Sequence, residues 1–364
     1  MTFSQSALSD YLARAGYTLI ETPLIEPAEL FLTKAGDAII ERLFTFEHGG
    51  KQFALRPEFT ASAAQHYVKQ SIQHAVRWQF NGAVFENAPH TAAGHEQRAS
   101  IGAELIGEAG DEADVEIMRL AVGGLLDQQI SVWQLVVGHV GLTRHLLQAF
   151  ALDAPAQRFL LNHRQYLNNA QTGKAYIIER LDHYLQTNTL SGIRLDAMAQ
   201  PEQAFSLMLS NAQPGQAWGG RTREDIARRL IRKQQRAASR AQIIAALDFL
   251  AAWDSIRAAP ENAFTQISRF TQGDAAAQAL ATTWRKTIDQ LPQTGIPVVI
   301  QPDLARTWDY YTGMVFELRT AEGDSLAGGG RYDDLTRLLG SQLGTPAVGF
   351  AYYVDTIHAQ FEAH

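Results

Sequence analysis

The run Arg306-Thr307-Trp308-Asp309-Tyr310-Tyr311-Thr312-Gly313-Met314-Val315-Phe316-Glu317 changes character half-way along its length. From Tyr310 the even positions, Tyr310, Thr312, Met314, Phe316 and Leu318, recur with a period of two. That spacing predicts a strand with one buried face, and Tyr311, Gly313, Val315 and Glu317 face the other way. Ahead of the strand, Arg306 and Asp309 share a short loop. A guanidinium, a carboxylate and two phenols at such a place are costly to bury without partners. Two readings follow from the residues: an Arg306–Asp309 pair that pins the loop beside two core tyrosines, or one wall of a pocket for a small polar molecule.

Working outward, Ala321-Glu322-Gly323-Asp324 predicts a hairpin turn. Gly328-Gly329-Gly330-Arg331-Tyr332-Asp333-Asp334-Leu335 predicts a glycine run leading into a short helix. It lacks the spacing of a phosphate loop, but three glycines let a backbone come close to a neighbouring strand or a ligand. Residues 346–357 predict a strand running into a buried helix, and residues 296–300 predict a strand on the other side. Residues 142–291 carry no strand pattern and are rich in Ala, Gln, Leu and Arg, which marks a helical insertion. Within it, residues 221–240 hold eight basic side chains, from Arg221 to Arg240, against Glu224 and Asp225. This is the pattern of a solvated helix face, with a contact surface for an acidic partner or a phosphate backbone as the alternative.

The N-terminal part is again rich in strands. A helix over residues 4–16 precedes an extended segment over 17–26, and a hairpin joins residues 44–46 to 53–55. Leu55-Arg56-Pro57-Glu58-Phe59-Thr60 leads into an Ala-rich helix. Glu58 at that junction is either an N-terminal helix carboxylate or a ligand acceptor. Residues 76–86 and 99–106, the latter carrying Glu104, form an antiparallel strand–loop–strand unit. Its loop holds His90 and His95 with no third ligand candidate beside them, so no metal site is assigned. A helix opening at Asp111 and a strand over 132–140 complete this part.

Composition sets the outer bounds. The 364 residues are 46% hydrophobic and 19% charged, contain no cysteine, and carry a net charge of −7. The absence of cysteine excludes disulfides and thiol catalysis, and the negative balance argues against broad nucleic-acid binding. The N-terminus shows no signal-peptide pattern. No stretch reaches the ~20 apolar residues of a spanning helix. A cytoplasmic protein without membrane attachment is the expectation.

The order of elements and several blocks resemble the catalytic core of class II aminoacyl-tRNA synthetases, specifically histidyl-tRNA synthetase. Residues 55–60 resemble L-R-P-E-x-T, and Val84-Phe85 through Gly102-Ala103-Glu104-Leu105 resemble the motif 2 strand pair. Residues 306–312 resemble R-G-L-D-Y-Y-T with Thr307-Trp308 in place of Gly-Leu, and residues 328–335 resemble G-G-G-R-Y-D-x-L. Ala347-Val348-Gly349-Phe350-Ala351 resembles the start of motif 3. The resemblance implies an α+β fold, with an antiparallel sheet flanked by helices over residues 1–141 and 292–364 and a helical insertion over 142–291. It also implies a histidine pocket. Glu58 and Thr60 would take the amino group, Glu104 would face the imidazole, and Arg306, Tyr310, Tyr311 and Tyr332 would line the rest.

The departures from that pattern are equally informative. Glu86 stands where motif 2 places an arginine, Ala88 where it places an acid, and Ser100 where it places a glutamine. Tyr353-Val354-Asp355-Thr356 replaces the G-L-E-R of motif 3. Losing one preorganised charge clamp costs about 3–4 kcal/mol in a transition state, and a carboxylate at position 86 would repel phosphate. An anticodon-binding domain after motif 3 is not expected. This set resembles the regulatory subunits of ATP phosphoribosyltransferase, paralogues of the synthetase. The resemblance implies no catalytic residues, no cofactor and no metal, and a partner in the short-form catalytic subunit. It further implies a hetero-octamer built around a dimer formed through the segment over 17–26, with histidine as feedback effector in the first step of histidine biosynthesis. An active amino-acid-activating enzyme and an RNA-binding module using residues 221–240 are the rival readings.

Overall fold

A computed structural model of the chain describes residues 4–32, 40–87, 96–168, 173–188, 238–304, 306, 308–342 and 344–362. The chain divides into two compact units, Met1–Leu146 with Ile256–His364, and Leu147–Ser255.

In the first unit, helix α1 (Gln5–Arg14) buries Leu8 and Leu12, one turn apart on one face. It ends ahead of Gly16, whose φ of +91° is a conformation that favours glycine. The extended segment expected over 17–26 contains β1 (Thr18–Leu19) and most of β2 (Ile25–Pro27). A short helix α2 (Glu29–Leu32) follows, and the hairpin is β3 (Thr45–His48) and β4 (Lys51–Leu55). Strands β2, β4 and β3 form a small antiparallel sheet in that order. Helix α3 (Thr60–Lys69) is the Ala-rich helix, and it buries Ala61, Ala63, Ala64 and Tyr67.

The large sheet takes β5 (Val76–Phe85), β6 (Gln97–Ile106), β7 (Gln134–His139), β8 (Val298–Ile300), β9 (Met314–Arg319), β10 (Ser325–Arg331) and β11 (Ala347–Tyr353), with β1 at one edge. Its order is β1-β5-β6-β11-β10-β9-β7-β8. The six central strands are antiparallel, and the two edge strands, β1 and β8, pair in parallel with β5 and β7. Helix α4 (Asp111–Asp127) lies with α1 on one face, where the Tyr352 hydroxyl donates to the carbonyls of Leu120 and Ala121. On this side the Arg331 guanidinium meets Asp114 at 2.9 Å, Asp333 at 3.1 Å and the carbonyl of Gly110 at 2.8 Å. Burial pushes the Asp114 carboxyl up to about 6, although Arg331 opposes the shift. The other face packs against α3 and the Tyr310–Tyr311 turn. Helices α11 (Leu335–Leu338) and α12 (Val354–Glu362) complete the C-terminal part.

The division into units differs from the boundary read off the sequence. Helix α5 (Val140–Gln148) holds the division between Leu146 and Leu147, and α9 (Pro260–Thr271) and α10 (Ala275–Asp289) belong to the first unit rather than to the insertion. They stay with the sheet because α10 buries Trp284 completely, edge-on to His139 of β7 and to Phe264 of α9. Lys286 also pairs with Asp111 of α4 at 2.7 Å.

The second unit is helical. It holds α6 (Ala154–His163), capped by the Asp153 carboxylate on the Ala156 N–H, then α7 (Gly173–Asn188) and α8 (Arg240–Asp254). A Ser239–Gln242 capping box starts α8. Its core includes Phe159, Leu160, Ile177, Leu181, Leu247 and Leu250. The nearly inaccessible Asp254 carboxylate is held by Arg164, with Nε donating at 2.7 Å. Residues 221–237 of the basic stretch lie outside the described residues, and its last arginine, Arg240, pairs with Asp182 at 2.7 Å.

Candidate functional site

The site forms where the sheet turns its glycine-bearing face inward. Glu104 on β6 lies directly across from Gly349 on β11, which neighbours Gly330 on β10, while Gly328 lies across from Glu317 on β9. A side chain on Gly349 would place its Cβ 1.7 Å from Glu104 Oε2, and one on Gly328 would lie 2.0 Å from Arg306 Nη1. Two absent methyl groups therefore make the space that the two charged side chains occupy.

A cavity of about 440 Å³ lies over this face. Glu58, Thr60, Arg306, Tyr310, Tyr311 and Tyr332 line it, and Glu104 lies directly behind this wall, hydrogen-bonded to Thr60 and Tyr332, so six of the seven residues chosen from the sequence face the cavity and the seventh backs it. Glu58 has the first of its two expected roles within the chain. Its carboxylate accepts from the backbone N–H of Thr60 at 2.5 Å and of Ala61 at 2.8 Å, at the start of α3. Burial nonetheless pushes its carboxyl up to about 7, because the two amides offset only part of the lost hydration.

Glu104 is wholly inaccessible and accepts from the Thr60 hydroxyl at 2.6 Å and the Tyr332 hydroxyl at 2.5 Å. Burial raises its carboxyl to about 8, those two hydrogen bonds pull it down, and nearby Glu58 pushes it up further. Thr60 links the carboxylates, with its N–H on one and its hydroxyl on the other. Burial also raises the phenols of Tyr310 and Tyr332 well above their ordinary range, with Glu58 and Glu104 adding to the effect. Tyr310 is fixed from three sides by the Trp308, Tyr311 and Tyr332 rings, at 5.9, 4.8 and 5.8 Å between centroids.

Arg306 does not pair with Asp309, which is solvent-exposed. Its Nη1 donates to Glu317 Oε1 at 2.9 Å and its Nη2 donates to the Tyr353 hydroxyl. Burial opposes its charge, but Tyr353, Tyr311 and Glu317 raise its pKa above the ordinary value, so it remains a cation. The strand starts at Met314 rather than Tyr310, since both tyrosines lie ahead of the ladder and the Thr312 N–H already bonds the Arg331 carbonyl. The even positions from Met314 face the helices as expected, whereas Val315 and Glu317 form part of the cavity face and Val315 is fully buried.

Glu86 lines the far end of the cavity without being an isolated negative charge. Arg42 meets it at 3.2 Å and Arg98 closes on its other oxygen, giving two cations for one anion. The expected repulsion of phosphate at this position is thus offset by its neighbours. His90, His95 and Ala88 lie outside the described residues. Among the described residues there is no group of three or more His, Cys, Asp or Glu that could hold a metal ion, and no helix is long and apolar enough to cross a membrane.

The sequence reading left out four contributors. Arg56 is buried, donates to Thr22 and to the Ala83 carbonyl at 2.8 Å, and covers the Phe59 ring at 3.7 Å, so it anchors the turn that presents Glu58. Glu317 and Tyr353 complete the surroundings of Arg306. Gly349 admits Glu104. The position of Glu317 on the odd face was the available signal.

The family profile described as histidyl-tRNA synthetase matches residues 3–196 and 206–357. A protein of Brucella canis named ATP phosphoribosyltransferase regulatory subunit is 31% identical over 359 residues, covering 94% of this chain and 92% of the relative. The chain belongs to the ATP phosphoribosyltransferase regulatory subunit family. That membership gives it a regulatory role. The regulatory subunit/histidyl-tRNA synthetase structure from Bacillus halodurans C shares its fold at a TM-score of 0.67 and 20% identity, over 98% of this chain and 77% of that one. Histidyl-tRNA synthetase from Nostoc sp. PCC 7120 gives 0.66 and 15%, over 98% and 70%. The chain and these neighbours therefore share the class II architecture, a mixed sheet with an antiparallel centre and flanking helices.

Proposed function

We propose that the chain assembles with a short-form catalytic subunit of ATP phosphoribosyltransferase, leaves phosphoribosyl transfer to that partner, and senses histidine in the cavity bounded by Glu58, Tyr332 and Arg306, with Glu104 behind Tyr332. The complex would carry out the first step of histidine biosynthesis in the cytoplasm. The observation that carries this reading is the cavity itself. The Glu58 carboxyl lies on one wall with the linked Glu104 behind it, a guanidinium lies on another, and three phenols lie around them. Histidine presents an ammonium, an imidazole N–H and a carboxylate, which is the matching set of groups. Glu58 and Thr60 would take the ammonium, Glu104 with Tyr332 the imidazole, and Arg306 with Tyr310 and Tyr311 the remainder. Buried polar partners of this kind reject a ligand without matching groups by roughly 10⁴-fold or more.

Feedback requires only that histidine bind two states of the complex unequally, and a coupling of about 1–3 kcal/mol suffices. The segment around β1 and β2 exposes Leu19, Leu24 and Ile25 at 54%, 50% and 51%, which supports a dimer of the regulatory chain at the core of a hetero-octamer. No nucleic acid is needed for this role.

Two measurements test the proposal. The purified chain should co-elute with a short-form catalytic subunit and stimulate it; failure to do either sinks the regulatory reading. Calorimetry should show histidine binding that weakens by a few kcal/mol in Arg306→Ala and in Glu104→Ala. Unchanged affinity in both variants reassigns these residues to structure. Histidine-dependent pyrophosphate exchange by the chain alone would revive amino-acid activation instead.

A further inference from the structure

Both terminal nitrogens of Arg306 already hold a partner within the chain. Nη1 is held by Glu317, which is itself fixed by Arg319 Nε at 2.9 Å and Nη2 at 2.8 Å. Nη2 donates to the Tyr353 hydroxyl, and Nε is buried without a partner. The guanidinium has no room to retreat towards β10, since the space at Gly328 is the space it fills. A ligand carboxylate that takes the two terminal nitrogens as a pair therefore meets Glu317 on one and Tyr353 on the other.

The two partners differ in chemistry and in how firmly they are held. Glu317 is an anion bridged to a second arginine. Tyr353 offers only a hydroxyl, whereas a carboxylate brings an opposite charge and can take the guanidinium through two parallel hydrogen bonds. Tyr353 is also partly exposed, ends β11 and immediately precedes α12, whereas Tyr310, Tyr311 and Tyr332 are buried among other rings. The synthetase pattern has glycine at this position, so the phenol is a group that the pattern does not supply.

We propose that Tyr353 holds the place of the ligand's carboxylate on Arg306 and gives it up when an amino acid binds. The inference rests on the histidine reading of the cavity and adds a selection step to it. A ligand with a carboxylate replaces the phenol with a stronger partner. A ligand with the same imidazole and ammonium but no carboxylate leaves Tyr353 in place. Because Tyr353 joins β11 to α12, its release also marks occupancy at the start of that helix.

The test uses the full chain, the variant Tyr353→Phe, and two probes, histidine and histamine, which differ by the carboxylate. Removing the competing hydroxyl should tighten histidine by about tenfold or more, the worth of a hydrogen bond to a charged group, and leave histamine unchanged. The empty variant should melt earlier than the unaltered chain, with histidine restoring most of the difference. Weaker histidine binding, an equal change for both probes, or no change for either overturns the role of Tyr353 while the histidine reading stands. If the unaltered chain binds neither probe, the histidine reading fails and this inference fails with it.

Discussion

Proton release on ligand binding is the most direct consequence of the two buried carboxyl groups. With Glu58 raised to about 7 and Glu104 to about 8, the empty cavity is substantially protonated at neutral pH. Together the pair holds roughly one to one and a half protons there. A bound ammonium and a ring N–H both favour the ionised carboxylates, so the ligand must expel those protons. The direction follows from the linkage: both groups have raised values, so affinity for a cationic ligand grows as pH rises, by about one decade per pH unit for each proton released. The cleanest window is between about pH 7 and pH 8, where free imidazole, with its ordinary value near 6.5, is mostly neutral. Histidine should bind about tenfold more tightly at the top of that window than at the bottom. Calorimetry at pH 7 in buffers of different ionisation enthalpy would count the protons, and Glu104→Gln should reduce the count by about one. Equal heats in all buffers, together with a flat affinity across the window, would refute the idea that these carboxyl groups meet the ligand.

Other consequences can be read from single residues. The empty chain should lose stability as pH rises from about 4.5 through 8, because Glu58 and Glu104 fold more readily in their neutral forms; saturating histidine should flatten the loss, as thermal melts across that range would show. Gly349→Ala puts a Cβ into Glu104 and should cost about 1–3 kcal/mol of stability along with histidine binding, measurable by urea titration and calorimetry. Asp114→Ala strands the buried Arg331, with only Asp333 and a carbonyl left to it, and should lower the urea midpoint by the equivalent of about 3 kcal/mol without changing the slope. Glu86→Arg restores a synthetase-like residue but places it against Arg42 and Arg98; it should destabilise the chain and leave pyrophosphate exchange absent.

Much of the architecture was legible because period and punctuation act locally. The long β5–β6 hairpin, the strand running into α12 and the helix opening at Asp111 all follow from spacing, glycines and capping positions. The residues that face one another across the sheet were harder to see. Asp309 looked like the partner of Arg306 because it is three residues away, yet Glu317 and Tyr353 are brought to it by pairing of β9, β10 and β11. Helices α9 and α10 have the same amphipathic pattern as the helices of the insertion, and nothing local says which core they cover. Trp284 decides the matter by filling the space beside His139. The glycines at 328 and 349 could be recognised as permissive, but their purpose depends on which side chain lies opposite, and only the register supplies that.

The pairing of Gly349 with Glu104 also guards the assembly of the sheet. A slip of one residue between β11 and β6 would bring Val348 or Phe350 opposite Glu104. Such a slip turns every side chain of the strand to the other face, so a bulky apolar group would be driven into a buried carboxylate while Tyr352 left its place against α4. The same pair that opens the cavity thus makes the neighbouring alignments expensive, and a mutation that relaxed it would endanger the fidelity of folding as well as ligand recognition.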